Sequence, residues 1–93
     1  MSKAAYRASL ERRLAKLDSD MEHARDKLAR GTPQDHVLAA GELRMIEDER
    51  RQVEQRIAEL EKEPDGSWED FKTSVDDAVD EVAASVRRWI ERH

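Results

Sequence analysis

Asp76, Asp77, Asp80 and Glu81 gather four carboxylates within six residues of the chain. Close carboxylates could serve as general acid and base, or hold a hard cation. Calcium, however, wants a glycine-centred loop to collect its oxygen ligands, and acid–base work wants a pocket that shifts a carboxyl pKa. This stretch has helical apolar spacing and no such loop, so its acids read as one solvated helix face. The histidines are His23, His36 and His93, and none has a second histidine three or four residues along its helix. They read as polar surface or end-of-core groups, although His36 falls on a helix seam where a protonation-sensitive contact is conceivable. Met21 on the seam and Met45 beside it read as core filling. Cysteine is absent, which removes disulfides, thiolate catalysis and cysteine metal sites. No Gly-x-Ser-x-Gly, phosphate loop or dinucleotide fingerprint occurs, so the expectation is a chain that is not an enzyme and takes no cofactor or metal.

Two kinds of residue stand out against that background. Arg50 sits at a seam position opposite Leu17, where an aliphatic side chain would pack better. A polar residue there can select register or oligomer state; alternatively its stem packs while its guanidinium reaches Asp18 or Asp20. Trp68 and Trp89 are both placed in the last helix. They could close the two ends of a core, or anchor that helix on a partner protein or a membrane surface, and the core is the favoured reading.

The elements that position these residues are legible from periodicity. The chain has 93 residues, of which 42% are charged and 38% hydrophobic, so one thin-cored domain is expected, without a sizeable buried pocket. Disorder would share this composition but would not keep a strict apolar period. Leu10, Leu14, Leu17, Met21, Ala24 and Leu28 step by four and three, which is a heptad seam. They mirror Ile57, Val53, Arg50, Ile46, Leu43 and Ala39 at a constant sum of residue numbers, the register of an antiparallel hairpin turning between Pro33 and Gln34. The first helix is expected over about 3–30, ended by Gly31 in a left-handed conformation. Thr32 would cap a second helix over about 33–62, with Pro33 at its first position and Asp35 completing a capping box. Pro64, Asp65 and Gly66 break that helix, and Ser67 with Asp70 predicts a second capping box.

The third helix, about 67–92, repeats every eleven residues: Trp68, Phe71, Val75, Val79, Val82, Val86 and Ile90 form a stripe along a nearly straight helix. Its acids come early and Arg87, Arg88 and Arg92 late, which suits the helix dipole. Short loops predict an all-α fold, an up-down-up three-helix bundle in a single domain, with Leu38 and Met45 receiving Ile90, Trp89 and Val86. Farther along the second helix the equivalent positions are Gln52 and Glu59, leaving Val75 and Phe71 short of partners. The hairpin register also places Arg13 near Arg56, Asp20 near Glu49, Asp18 near Glu47 and Glu11 near Glu54, with Lys27 and Glu42 the one matched pair. These like-charged flanks therefore look toward the third helix or toward a second copy.

A formal net charge of −5 with interleaved signs offers no basic face to nucleic acid. Nowhere do 18 apolar residues follow one another, and nothing between Lys3 and Arg12 resembles an export signal, so a cytoplasmic protein is expected. The run Ser67-Trp68-Glu69-Asp70-Phe71-Lys72, continuing through Val75, Asp76, Ala78, Asp80, Glu81 and Val82, resembles the closing segment of small bacterial stress-related coiled-coil proteins of apolipoprotein-like type. The resemblance covers the last 25 residues; the ending Arg87-Arg88-Trp89-Ile90 departs from the Lys and Glu expected there. It implies a non-enzymatic helical protein tied to stress or envelope physiology. The expected activity is contact, by self-association or docking on a protein partner. Its expected interaction residues are Trp68, Phe71, Val75, Val79, Val82, Val86, Trp89 and Ile90, with Arg50 setting register. The alternative is a peripheral lipid-surface binder using the same helix.

Overall fold

In a computed structural model, which describes residues 2–31, 36–64 and 66–93, the chain is an all-α, up-down-up bundle of three helices. They are α1 (Lys3–Arg30), α2 (His36–Lys62) and α3 (Trp68–Arg92). The bundle is a rod of 51 × 18 × 15 Å. Hydrogen-bond partners joining α1 to α3 are separated by 63 to 70 residues along their whole length, the constant offset of two parallel helices.

The predicted stripes are the core. Leu10, Leu17, Met21 and Ala24 of α1 are buried with Ala39, Leu43, Ile46, Val53 and Leu60 of α2, and Leu14, Leu28 and Ile57 pack at the edge. The hairpin register holds too, since Arg7 pairs with Glu61 and Asp18 with Arg50 across α1 and α2. Yet the backbones of α1 and α2 come less close to each other than either does to α3, which lies closest to α2 and then to α1. The third helix is the wedge that completes the core. Most of the mismatched hairpin flanks find partners elsewhere, Glu49 being the exception, with a buried carboxylate oxygen that makes no hydrogen bond. Arg13 turns to Asp76 and Asp80 of α3, and Arg56 turns to Ser74. The expected Lys27–Glu42 pair does not form: Lys27 donates to the Ile90 carbonyl at 2.6 Å, and Glu42 takes Arg92 at 2.9 Å.

Several local expectations are corrected. Gly31 ends α1 in an extended conformation, φ −82° and ψ 161°, with its N–H donating to the Lys27 carbonyl, so Gly31 is not the left-handed residue expected. Ser67 makes no capping bond; its hydroxyl donates to Glu63 Oε2 at 3.2 Å, so the box with Asp70 is not formed. The proposed caps at Thr32, Pro33 and Asp35, the turn at Pro33 and Gln34, and the breaker Asp65 lie outside the described residues. Leu38 and Met45 do not receive the end of α3: they are 54% and 66% exposed, and Trp89 instead lies against Ala39, to whose carbonyl its indole N–H donates at 2.9 Å. Val75 is buried at 1% exposure, so the bundle itself covers the position that seemed to lack a partner.

Candidate functional site

The third helix carries every residue expected to make contacts, apart from Arg50. Trp68, Val75, Val79, Val82, Val86 and Trp89 are all buried in the chain's own core, and Ile90 packs against its edge. Only Phe71, 36% exposed, shows substantial apolar surface. The structure thus brings the expected interaction residues together, but facing inward. The two tryptophans close opposite ends. Trp68 meets Tyr6 with ring centroids 5.6 Å apart, while Trp89 meets His93 at 4.9 Å with the rings tilted, and His93 Nε2 lies 3.3 Å from Glu42 Oε2. His36 and His23 are exposed.

The acidic group of α3 is divided by its packing. Asp77 and Glu81 lie on the exposed face as expected, but Asp76 and Asp80 do not belong to a purely solvated face. Asp76 Oδ1 accepts from the Tyr6 hydroxyl at 2.7 Å and from Arg13 Nη1 at 2.8 Å, and Arg13 Nη2 donates to Asp80 Oδ1 at 2.7 Å. The Lys72 ammonium lies 5.4 Å from the centre of the Tyr6 ring. Partial burial works against the Asp76 carboxylate, but the Tyr6 and Arg13 donors outweigh it and hold its pKa below the ordinary carboxylate value. Burial first, then the bond to Asp76 and its charge, push the Tyr6 phenol well above its ordinary value. Desolvation likewise opposes the Arg13 charge, yet its two carboxylate partners raise its pKa. No local sequence signal announces this network, because its donors lie in α1 and its acceptors in α3.

Arg50 takes the arrangement in which its stem packs. Its side chain is 14% exposed, its Nε and Nη2 donate to the two Asp18 oxygens at 2.9 and 3.1 Å, and Nη1 lies 3.1 Å from Glu54 Oε1. The last approach is too poorly angled for a hydrogen bond, which leaves Nη1 buried as an ion-pair contact only. The bonds to Asp18 raise the guanidinium pKa.

Lysines of α1 finish both other helices. Lys3 Nζ donates to the Glu63 carbonyl at 2.8 Å and Lys27 to that of Ile90, placing a cation at the negative end of each dipole. Beside Lys3 an open groove of about 660 Å³ runs between the ends of α1 and α2, with Tyr6, Leu10, Ile57, Leu60 and Trp68 on its floor. It is larger than so thin a core suggests. Its rim is satisfied internally, with Arg7 bonded to Glu61 at 2.9 Å and Lys3 held by the α2 carbonyls, so its polar groups are turned to one another. Among the described residues no cluster of three or more metal-ligating side chains occurs, and no helix is long and apolar enough to cross a membrane. Comparison of the chain with protein-family models, with curated proteins and with solved structures found no match.

Proposed function

We propose that this protein is a non-enzymatic helical interaction protein that works as a preformed rod, by self-association or by docking on a protein partner. The observation that carries the reading is the division of its apolar groups. The α3 stripe is spent on the chain's own hairpin, while Val37, Leu38 and Met45 remain 82%, 54% and 66% exposed near the start of α2. Large apolar side chains gathered on one exposed stretch of an otherwise charged helix are what a contact surface uses. The contact surface is then the outside of α2 and α3, not the apolar stripe of α3. A stress-related role rests on the resemblance of the Trp68 to Lys72 run alone.

The lipid-surface alternative would require α3 to leave the hairpin, exposing side chains such as Val86 and Trp89 that are wholly buried. Flotation with anionic vesicles at low salt separates the two readings. No co-flotation, together with blue-shifted tryptophan emission in buffer, is expected; binding with a change in emission would overturn the rod. Chemical cross-linking in the native cell, followed by mass determination of the adducts, tests the interaction reading directly. Adducts through lysines flanking α2 and α3 support it, and a chain that cross-links only within itself overturns it.

A further inference from the structure

The outward edge of α3 is written as a charge palindrome. Asp77, Glu81, Ser85, Arg88 and Arg92 fall within about 80° of one another around the helix, at 3.6 residues per turn. Two acids come first, a small residue sits in the middle, and two arginines follow. Glu81 and Arg88 are exposed, Arg88 donating to the Ser85 hydroxyl at 3.3 Å, and among the described residues neither they nor Asp77 enter an ion pair. Level with Ser85, on the facing shoulder of α2, stands the exposed Met45, which lines one shallow groove together with Ser85, Arg88 and Arg92.

We propose that this edge binds a second copy of the chain, antiparallel, about a twofold axis passing beside Ser85. The inference rests on the contact function proposed above and names its surface and partner. An acid–small–base stripe is self-complementary under such an axis: Arg88 of each copy meets Glu81 of the other, and Arg92, whose Nη2 holds Glu42 of its own chain, turns its remaining donors to Asp77. A closed twofold interface uses the same patch on both subunits, so each favourable pair occurs twice. Ala84 and Ser85 at the centre let the helices approach, and the two Met45 side chains bury each other beside the axis. The α2 shoulder does not supply the recognition. Glu42 and Glu49 lie on it, and Glu42 is already taken by Arg92 and His93.

The test uses the whole chain and two exposed positions. Sedimentation equilibrium of the wild type from micromolar to millimolar concentration is expected to show a dimer of the 10.8 kDa chain that weakens as salt rises. Arg88→Glu alone and Glu81→Arg alone each turn two attractive pairs into repulsive ones, and should weaken self-association by about ten-fold or more. Mixing the two variants restores both pairs and should recover the dimer. Circular dichroism checks that each variant keeps its helices. If a reversal lowers helicity, Arg88→Gln and Glu81→Gln take its place and should each weaken the dimer, while Asp26→Asn, away from the stripe, should not. A strictly monomeric wild type overturns the proposal and leaves docking on another protein to the cross-linking experiment. A dimer indifferent to both changes also overturns it, while self-association through another face would stand.

Discussion

Tyr6 and Asp76 show how far a residue's role can depend on a neighbour seventy positions away. Both read as ordinary in the sequence, one a lone aromatic near the start of α1 and the other a member of an acidic face. What could not be read there is that the core turns the Tyr6 hydroxyl onto Asp76 while Arg13, denied a partner on α2, reaches the same oxygen. The pair makes stability pH-dependent from both sides. Asp76 has a lowered folded pKa, so its contribution is present above the ordinary carboxylate pKa of about 4 and is lost as pH falls through the folded value. Tyr6 has a raised folded pKa, so its contribution is complete below about pH 10 and is lost as pH rises beyond that. Melting temperatures followed from pH 7 downward should fall less steeply for Asp76→Asn than for the wild type; equal slopes would show that Asp76 has no lowered pKa. Tyr6 is the chain's one tyrosine, so phenolate absorbance reads this group alone. It should stay un-ionised past pH 10 until the protein unfolds, and Tyr6→Phe should cost about 1 kcal/mol at neutral pH. Arg50 makes the converse point, because its oddity on the seam was visible in the sequence and the structure adds the choice of Asp18 as its partner. Asp18 remains 56% exposed, so its pairing contributes about 1 kcal/mol at most, and a leucine facing Leu17 should raise the melting temperature. Arg50→Ala should lower it, since the packed stem is lost with nothing in its place. If both substitutions destabilise alike, the ion pair matters more than the packing.

At the scale of the helices, apolar periodicity was enough to place all three, because a heptad or eleven-residue stripe must face a core whatever the partner. Their ends were less legible. A capping box is a local sequence pattern, but the hydroxyl of Ser67 prefers Glu63 across the turn. Ser2, with no apolar run before it to announce a helix start, accepts from the Ala5 N–H at 3.1 Å and caps α1. The far ends of α2 and α3 are closed by lysines of α1, which no reading of either helix alone could supply. Two substitutions separate these cases. Ser2→Ala should lower the unfolding free energy by about 1 kcal/mol, as loss of a true N-cap does. Ser67→Ala should change it by less than about 0.5 kcal/mol, as expected for a partly exposed hydroxyl whose bonds are not to the helix. Chemical denaturation of both variants measures the difference, and equal losses would restore Ser67 to a capping role.

For the whole molecule, the structure reassigns the burden of stability from the hairpin to its third helix. The mirror symmetry of α1 and α2 suggests a self-sufficient pair with an appended tail, but their backbones approach each other less closely than either approaches α3. What joins them without α3 is their mirrored seam, open to water on the side that α3 covers, plus surface ion pairs such as Arg7–Glu61, Asp18–Arg50 and Arg25–Glu47, each worth about 0 to 1 kcal/mol. What α3 contributes is a set of fully buried side chains, among them Val75, Val82, Val86 and Trp89, each worth about 1.5 to 3 kcal/mol of burial. It also supplies the acceptors for Arg13, Lys27 and Tyr6, and the far side of the hairpin core that would otherwise face water. A chain cut after Glu63 should therefore lose the cooperative thermal transition and keep only fraying, partial helicity by circular dichroism, despite retaining every residue of the mirrored seam. Cooperative melting of that fragment within a few degrees of the full chain would show that the hairpin stands alone and that α3 is free to act elsewhere.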